Sequence, residues 1–219
     1  MTIEAKKSLV ASIVIVLALG FLYLTLAGLP PSVNEKPHQG LGQVMGEEAV
    51  KLLGHGGRIA VIARKTTDFK TPAAEAQLKA FNQTISKGGA KVAVTRWLRP
   101  NPISVVAVPS GEFFDVLRRQ SDSDVTVSFM GPAELADGQI AKLGEQRPKV
   151  IALCTGTLPH RVNLRRLFDQ KLLHVAVISR EPPLSGSPAS DTPRGWFDHL
   201  FQLVTPGNLA EAPLPDLRP

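Results

Sequence analysis

The run from Ser8 to Leu29, SLVASIVIVLALGFLYLTLAGL, carries no charged residue. About 22 helical residues at 1.5 Å each cover roughly 33 Å, the depth of a hydrocarbon core. No other stretch of the 219 residues matches it. The sequence therefore predicts a single transmembrane helix over 8–29 and one folded body outside the bilayer.

Lys6, Lys7 and the amino terminus precede this run, while Glu35 and Lys36 after it cancel. Positive charge stays on the cytoplasmic side. Residues 1–7 are therefore expected in the cytoplasm, the helix in the inner (cytoplasmic) membrane as a single pass, and the body in the periplasm or its extracytoplasmic equivalent. A cleaved signal peptide competes, with Thr25-Leu26-Ala27 as a small-residue cleavage site. The apolar run is longer than the usual core of a signal peptide, which favours an uncleaved anchor. No cysteine lies near its end, which excludes a lipoprotein.

The remaining residues suffice for one domain with its own core. The net charge of +6 and pI near 9.7 suit anionic headgroups or acidic partner surfaces. Nucleic acid is not expected outside the cytoplasm. Cys154 is the only cysteine, so an internal disulfide and a cysteine metal cluster are excluded. Its apolar surroundings (VIALC) predict a buried, inert thiol. Aromatic residues make up 5% of the chain, too few for a stacking platform for sugars or bases.

Pro30, Pro31 and Pro37 predict a stiff linker over 30–42. A helix is expected from Gln43 to Leu53, ended by Gly54, Gly56 and Gly57. Strands and helices then alternate. Arg58–Ala63, Lys91–Leu98, Val125–Met130, Lys149–Leu153 and His174–Ile178 read as short apolar strands. Between them, helices are expected from the Thr71 cap to Lys87, from Ser110 to Gln120, from Pro132 to Leu143 and from His160 to Gln170. Strands apolar throughout are buried on both faces, and single-helix crossovers make neighbours parallel. The expectation is an α/β, three-layer domain over 43–180 with a five-stranded parallel sheet, flavodoxin-like in order 2-1-3-4-5. The segment 181–219 is a Pro-rich tail. Within it, 194–204 reads as amphipathic, with Trp196, Phe197, Leu200 and Phe201 on one face. These residues either fold back on the domain or bind a partner or the membrane surface.

Nucleotide loops, a nucleophile elbow and a paired-histidine zinc helix are all missing from the sequence. No catalytic residue, metal ligand or cofactor is assigned. In open α/β sheets, ligands sit beyond the carboxyl ends of the strands. Arg64, Lys65 and Thr66 follow the first predicted strand, Thr155, Thr157, His160 and Arg161 the fourth, and Ser179 and Arg180 the fifth. Cations, hydroxyls and helix amino termini on one edge would suit a small anion.

The segments GRIAVIARKTTDF, AFNQTISKGGAKVAV, DVTVSFMGPAEL, RPKVIALCTGT and LLHVAVISR resemble one lobe of a type I periplasmic binding protein of the ABC-transporter substrate-binding class. The likeness runs from Gly57 to Arg180. It implies the fold of a single lobe. Closure of two lobes over a ligand is not implied, because no second lobe follows Arg180. The architecture points first to a non-enzymatic accessory subunit. Its body would bind and stabilise a larger respiratory, photosynthetic or transport complex in the membrane. The alternative is a membrane-tethered binding or sensor domain for a small anionic ligand.

Overall fold

A computed structural model describes residues 3–27, 34–65, 71–99, 107–145, 147–182 and 184–214. The chain divides into two units, Met1–Val33 and Asn34–Pro219. The first contains helix α1, Ile3–Ala27. Among the described residues, no helix is long and apolar enough to cross a membrane. The expected transmembrane assignment over 8–29 is therefore not supported by the described residues. Ile13, Leu17 and Phe21 are among the large apolar side chains exposed there.

In the second unit, helix α2 spans Glu35–Leu52 and starts well before the expected Gln43. Asn34 caps it by accepting a hydrogen bond from Lys36 N at 3.1 Å, and Pro37 sits in its first turn. The linker predicted over 30–42 is thus largely helix, apart from 30–33, which lie outside the described residues. The first half of α2 lacks apolar periodicity because it packs through glycine. A Cβ on Gly40 would collide with the Pro193 carbonyl, and one on Gly42 with the Gln77 carbonyl.

The sheet contains β1 (Ile59–Arg64), β2 (Val92–Leu98), β3 (Val125–Ser128), β4 (Lys149–Cys154), β5 (Val175–Ser179) and β6 (Phe201–Val204). Its order is β2-β1-β3-β4-β5-β6. The first five strands are parallel in the predicted order, and β6 runs antiparallel to β5, with Ser179 opposite Phe201. The expected five-stranded, all-parallel sheet is therefore a mostly parallel six-stranded one, and the domain does not end at 180. The short amphipathic segment expected over 194–204 divides between two elements. Helix α7, Pro193–Leu200, ends at Leu200, and the chain turns directly into β6.

Side chains alternate across the sheet into two cores. One face packs Ile62, Ala152 and Ile178 against α4 (Ser110–Leu117) and α6 (Leu164–Asp169). The other packs Val61, Val127 and Val177 against α2, α3 (Pro72–Lys87) and α7. The remaining helix, α5, spans Asp137–Leu143, shorter than the expected 132–143. Ala133 and Leu135 instead pack into the first core from non-helical chain. The helix expected from His160 splits into a 3₁₀ turn, Leu158–His160, and α6, because Asn163 caps a new start by accepting from Arg166 N at 3.0 Å.

Candidate functional site at the carboxyl ends of β4 and β5

Past Cys154 the chain turns through Gly156, whose φ of 65° lies in the left-handed region that glycine tolerates best. The 3₁₀ turn follows, anchored by buried Leu158. Past Ser179, Arg180 is drawn away from the strand end. Its N–H donates to Leu200 O at 2.9 Å and its Nε to Asp198 O at 2.9 Å. Arg180 thus joins β5 to α7, and Glu181 is left at the edge.

Between these turns lies a cavity of about 220 Å³ lined by Gly156, Pro159, His160, Ile178, Ser179, Glu181, Pro213 and Leu214. Ile178 supplies an apolar floor at the end of β5, while Ser179, His160 and Glu181 supply a hydroxyl, an imidazole and a carboxyl. The last two lining residues come from the returning tail, where Leu209, Ala212 and Leu214 pack on the first core. This arrangement can orient a small polar molecule through hydrogen bonds. Among the described residues, no cluster of His, Cys, Asp and Glu could hold a metal.

The residues predicted for an anion are only partly gathered. Arg64 ends β1, and Lys65 N donates to Leu98 O on β2 at 2.8 Å. Strand β3 separates them from β4. Two strand spacings of roughly 4.8 Å therefore lie between the ends of β1 and β4. Thr155, Thr157 and Arg161 flank the turn after β4 without lining the cavity. Thr66 lies outside the described residues. Sequence reasoning reached Ser179 and Arg180 after the fifth predicted strand but stopped short of Glu181. Pro213 and Leu214 left no signal, because only the fold brings the tail back.

Of the two expectations for the aromatic island, Phe197 and Phe201 follow the one in which it folds back on the domain. Phe197 is 2% exposed within the core beneath α2, and Phe201 packs against the same core. Their rings lie 5.8 Å apart. Trp196 donates its indole N–H to Asp191 at 2.9 Å, and Asp191 also pairs with Lys36 at the start of α2. The hydrogen bonds from Lys36 and Trp196 hold the Asp191 carboxyl below its ordinary range. The apolar period that suggests a docking face thus belongs to the third layer of the fold.

Two other perturbed groups are structural. Cys154 is buried, and desolvation pushes its thiol well up, so it stays protonated and inert. His174 accepts a hydrogen bond from Val150 N at 3.1 Å through Nδ1. Burial, then Lys149 and Lys171, push it down to about 4. It lies before β5, away from the cavity at the other end of that strand.

No protein-family model matches the chain. No curated protein is similar to it in sequence. Solved structures do share its fold. A protein assigned as a LacI transcriptional regulator from Bacteroides fragilis superposes with a TM-score of 0.51 at 13% identity, over 80% of this chain and 61% of that one. The arabinose-binding protein AraP from Geobacillus stearothermophilus gives 0.48 at 16%, over 80% and 62%. A sugar ABC-transport substrate-binding protein from Bordetella parapertussis gives 0.48 at 15%, over 81% and 58%. The chain thus spans less than two thirds of each. The resemblance to periplasmic sugar-binding proteins is one of fold.

Proposed function

We propose that this chain is a binding or sensor domain for a small polar ligand, tethered to a membrane through α1, with its body outside the cytoplasm. The carrying observation is the cavity at the carboxyl ends of β4 and β5, where Ser179, Glu181 and His160 converge. This is the edge of an open α/β sheet at which ligands are expected. Glu181 opposes an anion inside the cavity, so the ligand there is neutral and rich in hydroxyls, of monosaccharide size. The cations Arg64 and Lys65 stand two strands away, outside the lining of the cavity. The tether rests on the uncharged run over 8–29 and on the exposed apolar side chains of α1.

The melting temperature of the full chain in detergent, read with D-ribose, D-arabinose, phosphate and acetate at millimolar concentration, tests the ligand class. The sugars should raise it, and Ser179→Ala should remove the rise. Stabilisation by the anions alone would reverse the assignment. An accessory role in a membrane complex is the second reading, and the open edge of β2 favours it.

A further inference from the structure

Strand β2 forms one edge of the sheet, and among the described residues no strand pairs with its outer side. Leu98 O accepts from Lys65 N, so Leu98 faces β1. On a parallel ladder successive residues alternate, and the backbone N–H and C=O of Thr95 and Trp97 therefore point away from β1. Along this edge Val94 and Trp97 are each 51% exposed, and Arg96 between them is exposed and paired with Glu112. Natural sheets blunt such edges with charges, prolines or bulges. Here the bulge falls at the start of the pairing, between Ile59 and Ala60, and leaves Thr95–Leu98 in regular register.

A shallow cavity of about 180 Å³ lies alongside, lined by Val94, Thr95, Arg96, Asp115, Val116 and Arg119 among others. The carboxylates near it are already paired, Glu112 with Arg96 at 2.6 Å and Asp115 with Arg118 at 2.8 Å. Exposed Lys91 precedes β2 and exposed Arg119 lines the cavity beside Val94 and Thr95, so both add positive charge near the amino-terminal half of the edge. A second copy of this chain would bring like charge against like, whereas an acidic strand would be complementary.

We propose that β2 docks an extended acidic segment of a partner protein, which adds to the sheet beside Thr95 and Trp97. Backbone hydrogen bonds supply the pairing, Trp97 packs against the segment's apolar side chains on one face of the sheet, and Arg119, beside Val94 on the other face, selects carboxylates at the alternate positions.

Hydrogen exchange on the full chain in lipid nanodiscs tests this with two capped ten-residue peptides, one alternating valine with glutamate and one alternating valine with lysine. The glutamate peptide should slow exchange at Thr95 and Trp97, and the lysine peptide should bind at least tenfold more weakly. Thr95→Pro should abolish the protection with little change in melting temperature, since the lost N–H does not serve β1. Arg119→Glu, which leaves the backbone intact, should narrow the preference toward the lysine peptide. Equal protection by both peptides, or protection by neither, would overturn the proposal. Concentration-dependent protection of β2 without peptide would overturn it in favour of pairing between two copies.

Discussion

Asp124 holds Arg58 at two points. Its carboxylate accepts the Arg58 backbone N–H at 2.7 Å and approaches the guanidinium at 3.3 Å. It also accepts the backbone N–H of Ser121 at 2.8 Å, joining the entries to β1 and β3. Burial alone would raise this carboxyl, but the hydrogen bonds from Ser121 and Arg58 outweigh it and hold the pKa below its ordinary value. A carboxyl with a depressed folded pKa contributes stability above its unfolded value, and that contribution is lost as pH falls through the folded one.

Asp124→Ala should accordingly lower stability by about 2–4 kcal/mol, because two backbone donors lose their acceptor. Denaturant melts at neutral pH measure this. The gap between variant and parent should shrink in acid, and a gap constant from pH 7 to pH 2 would contradict the assignment.

His174 titrates in the opposite chemical sense with the same direction of effect. Its folded pKa, about 4, lies below the ordinary 6.5, so the fold favours the neutral ring. The unfolded chain takes up the proton first. Stability from this group is full above the ordinary value and declines as pH falls from there toward 4. His174→Gln should flatten the pH dependence of the melting temperature between pH 7 and pH 4. An unchanged slope would show that the imidazole is not held neutral.

Thr126 sits fully buried in β3, and its hydroxyl has no hydrogen-bond partner among the described residues. Thr126→Val keeps the shape and removes the orphaned group, so stability should rise by about 1 kcal/mol. A loss on chemical denaturation would show that the hydroxyl is satisfied in solution.

Two glycines separate close packing from helix propensity. Gly42→Ala on α2 would drive a methyl into the Gln77 carbonyl and should cost more than about 2 kcal/mol. Gly111→Ala on α4 meets nothing within 4 Å and should stabilise by roughly 0.5–1 kcal/mol. Equal effects at the two sites would remove the case for glycine-mediated contact between α2 and α3.

The parallel strands were legible because each is a short apolar run between helices, as in KVIAL before Cys154. The start of α2 was hidden because Gly40 and Gly42 use backbone, not apolar side chains, to pack. Strand β6 was hidden because the helical period of Trp196, Phe197 and Leu200 continues smoothly to Phe201, and only pairing with β5 breaks it. Lys65 was correctly read as following a strand, whereas Arg64 is that strand's last residue. Their distance from Thr155 follows from β3 lying between, which the predicted order 2-1-3-4-5 already implied. The tail's contribution at Pro213 and Leu214 arises from long-range packing alone.

Removing that tail should open the cavity. Truncation after Thr205 deletes Pro213 and Leu214 from its wall and uncovers the core beneath Leu209 and Ala212. The melting temperature should fall and any sugar-induced rise should disappear. A shortened chain that kept both would show that the tail does not shape the cavity.

The most direct measurement is a calorimetric titration of D-arabinose into the full chain beside Glu181→Gln and Arg64→Ala. Binding that Glu181→Gln weakens at least tenfold, with Arg64→Ala near the parent, is the predicted result. Absence of heat for any neutral polyol, or binding that depends on Arg64 and ignores Glu181, would contradict the assignment of the β4–β5 cavity as the ligand site.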